Sequence, residues 1–205
     1  MSSPGSCRRA WLITPVAGLA LPAHAQAHMT VQGMSSFMTG ALHPLLTPSH
    51  VIILLALGLA VGQHIPLRLG APLKVFAGCS AIGLALTTTG RIAGVHPGIL
   101  SGIAFAIGGI VAFGKKLPFA VPAILLGAGA LAIGLDSGVE KGAAWTVFGT
   151  LSGTWVGLLV YLVNFAFYTS LAAEKKQQWL QIGIRVAGSW ILAISVLMLA
   201  FALRK

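Results

Sequence analysis

Six long apolar stretches separated by short gaps make up most of the chain, and that succession restricts what it can fold into. They lie at about residues 37–62, 73–89, 97–114, 119–135, 143–172 and 179–203. Each is near or above the roughly 17–25 residues that a helix needs to cross a bilayer. A soluble domain has no polar cover for so much apolar side chain: charged residues make up 8% of the 205 positions, against about 25% in soluble domains. Segments of roughly 9–11 residues with alternating polarity are not seen, which excludes an outer-membrane barrel. The sequence therefore predicts an all-α, polytopic membrane protein, a six-transmembrane-helix bundle with the lipid bilayer as its first partner. No gap is large enough for a soluble catalytic domain. With no Walker motif and no nucleophile–base set, the chain does not read as an enzyme.

Residues 1–27 read as a secretory signal peptide rather than as another span. Arg8 and Arg9 form a basic start, Trp11–Leu21 is apolar but too short to span, and Pro22 breaks the helix before small-residue cleavage sites. Cleavage is expected after Ala25 or Ala27. The first option leaves Gln26-Ala27-His28 as the mature N-terminus, whose amine, two backbone amides and imidazole suit square-planar Ni(II) or Cu(II). The second leaves His28 first, with only an amine–imidazole pair.

The net charge is +10, and the only acids are Asp136, Glu140 and Glu174. In a soluble protein this surplus suggests nucleic acid. Here the cations are scattered through the gaps, so they read as topogenic and no nucleic-acid partner is expected. Arg68, Lys74, Lys115, Lys116, Lys175 and Lys176 fall after the first, third and fifth stretches; Arg91, Lys141, Arg204 and Lys205 fall on the other side. The positive-inside rule makes the first set cytoplasmic. A cleaved leader independently puts the mature N-terminus outside. Cys7 and Cys79 form no disulfide framework and no zinc spacing.

Gly149, Gly153 and Gly157 form a small-residue ridge in the fifth stretch. Such ridges let helix backbones approach closely in lipid, where no hydrophobic drive holds helices together. The alternative is a narrow polar path lined by backbone, with Thr87, Thr88, Thr89, Thr150, Thr154 and Asn164 along it.

On this topology His28, His43, His50, His96, Asp136 and Glu140 all fall on the outer side, and His64 lies at the inner end. Imidazole and carboxylate delivered by distant segments suit a borderline divalent cation such as Ni²⁺, Co²⁺, Cu²⁺ or Zn²⁺. Asp136 and Glu140, four residues apart, share a face if their helix continues. A plainer role, as polar anchor or helix cap at the interface, fits His96 and His64 best. His43 and His50 are seven residues apart, about 10.5 Å along a straight helix, too far for one ion. Pro44 and Pro48 disturb that helix. Thr47 as N-cap with Pro48 at the first helical position marks a new start. His43–Leu46 is then expected to be irregular and to fold back toward His50. The partial positive charge of a helix start opposes a cation there, so Asp136 or Glu140 would have to offset it.

The stretch Phe37–His50 resembles the first-helix motif H-P-x-x-G-x-D-H of the hydrogenase/urease accessory membrane proteins, the HupE/UreJ family. His43, Pro44 and His50 match, while Thr47 replaces the Gly and Ser49 the Asp. In the family's fourth-helix motif H-G-x-E, Gly138 and Glu140 match and Ser137 replaces the His. Arg185–Trp190 also resembles a branch of this family. The resemblance implies a secondary permease of a bacterial inner membrane, importing nickel or cobalt for metalloenzyme assembly. The ion is cargo, so no permanently bound cofactor is expected. A homo-oligomer and contact with metalloenzyme maturation proteins are compatible with it. Two other readings stand beside it: a channel or carrier for a small neutral or anionic solute, and a non-transporting membrane accessory protein.

Overall fold

The computed structural model of the chain describes residues 33–64, 66–90, 94–114, 120–139, 142–175 and 177–204. The expected leader, His28, Glu140 and the Lys115–Lys116 gap lie outside the described residues. Among the described residues the fold is all-helical, with seven helices and no strand. They are α1 (Ser36–Leu46), α2 (Pro48–Gly62), α3 (Gly70–Thr87), α4 (Pro97–Phe113), α5 (Ala120–Asp136), α6 (Ala144–Glu174) and α7 (Gln178–Leu203). Of these, α3, α6 and α7 are long and apolar enough to cross a membrane, and α1 with α2 passes the same test as one bent span. Helices α4 and α5 are apolar but shorter.

The first expected span, 37–62, is not one helix. It breaks at Thr47, and α1 meets α2 at 75°. The break follows from Pro48, which disfavours the helical conformation in the residue before it. Thr47 is accordingly extended, with φ −101° and ψ 106°. The expectation that His43–Leu46 is irregular is also overturned. Pro44 is buried inside α1, which stays helical to Leu46. Thr47 does occupy the N-cap position of α2 with Pro48 behind it, yet its side chain makes no cap bond there. Its hydroxyl donates instead to the His43 carbonyl at 3.1 Å, closing the end of α1.

Helix α2 is the centre of the bundle. Ile53, Leu54 and Leu57 are fully buried and share one core with Leu100, Ile107, Ile133 and Leu158 of α4, α5 and α6. The outer helices pair tightly where side chains are small. Gly153 of α6 faces α1, where an added Cβ would overlap the Phe37 carbonyl and stand 3.0 Å from the Ala41 nitrogen. Gly134 of α5 meets α3 in the same way, its Cβ position lying 2.6 Å from the Ser80 carbonyl oxygen. These contacts are the packing role expected for the glycine ridge. The hydroxyls of Thr87, Thr88, Thr150 and Thr154 donate to carbonyls of their own helices, and Asn164 does the same to Val160. Such local bonds are the ordinary way for polar groups to be satisfied in a helix.

Longer-range side-chain bonds also tie helices together. Trp155 of α6 donates to the Ala77 carbonyl of α3 at 3.1 Å, and Tyr161 donates to the Ala41 carbonyl of α1 at 2.8 Å. Arg185 of α7 donates to the Ala112 carbonyl at 3.1 Å. This places a guanidinium on the last turn of α4, where free carbonyls and the helix dipole favour a cation.

Candidate metal site

The break at Thr47 sets up the site. It places His50 in the first turn of the central helix, where its side chain is 0% exposed. A buried imidazole needs a polar partner. Asp136, the last residue of α5, supplies it: His50 Nε2 lies 3.0 Å from Asp136 Oδ2. The other carboxylate oxygen, Oδ1, accepts the Val95 N–H at 3.3 Å. One carboxylate thereby joins the start of α2, the end of α5 and the turn leading into α4. It also supplies the negative charge that the two helix starts call for.

His43, in the last turn of α1, reaches the same place from the other side of the break. Its ring centroid is 5.5 Å from that of His50, with the planes at 72°. The bend has thus closed the separation of a straight helix. The structure brings together His43, His50 and Asp136 as a string of neighbours. They are not a preformed cage, for no set of three His, Cys, Asp or Glu is arranged to hold a metal ion among the described residues. His96 is not turned into the string. It is exposed, stands at the N-cap of α4, and its Nδ1 accepts the Gly98 N–H at 3.1 Å. That is the capping role its position suggested.

At the opposite end of α2 a cavity of about 300 Å³ opens between Ala60, His64, Arg68, Pro72, Val75 and Leu126. His64 Nδ1 donates to the Ala60 carbonyl at 3.0 Å. With apolar walls and a guanidinium beside its imidazole, this cavity is a poor cation site. Sequence reasoning missed the Val95 N–H, which as a backbone donor carries no signal in residue type. It also missed Ser101 and Ser195, buried serines that line a small crevice with Ser49. Lone serines in otherwise apolar helices were the available signal.

A family model described as HupE / UreJ protein matches residues 16–198. The chain belongs to the HupE/UreJ family. This is a family of membrane proteins accessory to nickel and cobalt, and not a family of enzymes. Comparison with curated proteins and with solved structures finds no match. Within the HupE/UreJ pattern, the departures seen in the sequence now have positions. Ser137, in place of the motif's His, is buried and donates to the Ile133 carbonyl at 2.7 Å. Ser49, in place of the motif's Asp, leaves His50 without an acidic neighbour in sequence. The carboxylate that His50 meets comes from Asp136 on α5 instead.

Proposed function

We propose that this HupE/UreJ protein is a secondary permease that imports a divalent transition metal ion, nickel first and cobalt second, for metalloenzyme maturation. The observation that carries this reading is the pair of imidazoles, His43 and His50, gathered with Asp136 around the break between α1 and the central helix α2. Imidazole nitrogen suits nickel and cobalt far better than magnesium or calcium. The membrane potential suffices as driving force: a divalent ion entering a negative interior gains about 4.6 kcal/mol per 100 mV, twice the single-charge figure. The test is uptake of radioactive nickel into proteoliposomes under an imposed inside-negative potential. Uptake that responds to the potential and is competed by cobalt but not by magnesium supports the reading. A protein that moves neither metal leaves the accessory or other-solute reading.

In the proposed arrangement the bent α1–α2 pair counts as one span, α4 and α5 complete a bundle of six, and both mature ends are outside the inner membrane. Single cysteines in place of Lys116 and Lys175 are then cytoplasmic. They should resist a membrane-impermeant thiol reagent in intact cells and react after permeabilisation. Ready labelling of both in intact cells rejects this orientation.

The mature N-terminus is proposed to assist capture through His28. Mass spectrometry of the purified protein reports whether Gln26 or His28 comes first, and whether Gln26 has cyclised and lost its amine. With Gln26 first and uncyclised, His28→Ala should reduce uptake at limiting nickel and leave it unchanged at saturating nickel. Equal uptake at both concentrations removes the tail from the pathway.

A further inference from the structure

We infer that Asp136 is a positioning residue that holds His50 as the tautomer protonated on Nε2, so that Nδ1 is the nitrogen offered to the ion. The inference rests on the proposed metal reading but makes its own claim about protons. Asp136 takes the Val95 N–H on Oδ1 and faces His50 Nε2 with Oδ2. An ionised carboxylate only accepts hydrogen bonds, so Nε2 must carry the proton in the 3.0 Å contact. The second ring nitrogen is then decided by burial. Nδ1 of His50 is buried and has no hydrogen-bond partner among the described residues. A proton there would make a buried donor with nothing to accept it, which costs the full desolvation of that group. The neutral ring with a bare Nδ1 remains. A bare imidazole nitrogen is a metal ligand, and a ligating histidine commonly gives its other N–H to a carboxylate, which sets its tautomer and orientation. His43, with its ring 5.5 Å away, is the neighbouring imidazole. Asp136, expected from sequence as a ligand, thereby acts through His50.

The same two bonds predict what an isosteric change does. In Asp136→Asn the Val95 N–H still needs an acceptor, and only the amide oxygen can serve. The amide NH₂ is then turned toward His50 Nε2 and donates to it. His50 then carries its proton on Nδ1, at the desolvation cost that disfavours this tautomer in the wild type, and the offered nitrogen is blocked. One atom is exchanged, no volume changes, and the tautomer reverses.

The experiment is nitrogen NMR on metal-free protein carrying ¹⁵N-labelled histidine, with His50 assigned by its loss in His50→Gln, followed by titration with nickel alone. The expected result is Nε2–H with bare Nδ1 in the wild type and Nδ1–H in Asp136→Asn. Nickel affinity should fall in the variant by about 10–100-fold, the usual effect of losing an outer partner of a ligating histidine. A wild-type His50 that is protonated on Nδ1, singly or with Nε2, overturns the inference without reference to any metal. So does a tautomer that does not change in Asp136→Asn. A tautomer that reverses while nickel affinity stays the same overturns Nδ1 as ligand. If the wild type shows the expected tautomer but binds no nickel, the nickel permease reading fails and the ligand role with it, while the positioning of the proton by Asp136 stands. Should Asp136→Asn not fold, the wild-type spectrum alone still decides the tautomer.

Discussion

His50→Ala is expected to abolish nickel uptake, lowering it by more than the roughly 10–100-fold that removing even an outer partner of a ligating histidine costs. The residue is fully buried in the first turn of the central helix and links α2 to Asp136 on α5. Its removal takes away one of the two imidazoles gathered at the break. The protein should survive the change. Asp136 keeps its bond from the Val95 N–H and is partly exposed, at 24% of its side chain, so its charge is not stranded in an apolar core. His64→Ala serves as the control. His64 sits just past the far end of α2 and bonds to the Ala60 carbonyl in the last turn of that helix, and its loss should leave uptake unchanged. Uptake in proteoliposomes, with thermal stability measured on the same samples, checks both variants. Wild-type uptake in a folded His50→Ala protein removes this site from consideration.

Gly153→Leu should lower thermal stability and, with it, disturb the site from a distance. The group in its way is not a flexible side chain but the backbone of α1. A Cβ at 153 overlaps the Phe37 carbonyl and crowds the Ala41 nitrogen, so α1 can only move away. Overpacking of this kind costs about 1–3 kcal/mol, and contact with backbone puts this case at the upper end. At roughly 2–4 °C per kcal/mol for a chain of this size, the midpoint in detergent should fall by about 5–10 °C. Because α1 carries His43, whose ring depends on the α1–α2 geometry, nickel uptake should drop as well. Gly183→Leu is the matched control: Gly183 is exposed on α7 and an added Cβ there meets nothing within 4 Å. Equal melting of the two variants shows that α6 does not use Gly153 to hold α1.

The sequence by itself determined that this is a helical membrane protein, because only helices and closed barrels satisfy their backbone groups internally in lipid, and these long, non-alternating apolar stretches do not fit barrel strands. It determined the family through His43, Pro44, His50, Gly138 and Glu140. It also marked the α1–α2 break, since Pro48 acts locally on Thr47, and the glycine ridge, whose spacing puts Gly149, Gly153 and Gly157 on one face. The tertiary structure decided what periodicity cannot carry. It set the 75° angle that brings His43 to His50, because an angle at a break depends on what each half packs against. Helix α1 lies along α6, whereas α2 fills the core. Pro44, read as a disruptor, is accommodated inside α1, so the break falls at one residue rather than over four. Most of all, the tertiary structure chose the partner of His50. The motif places an acid beside this histidine in sequence, and here that position is Ser49. The carboxylate arrives instead from Asp136, 86 residues away. No local pattern signals such a pairing. It exists because a buried imidazole at the start of α2 and a carboxylate at the end of α5 satisfy each other where the helices meet.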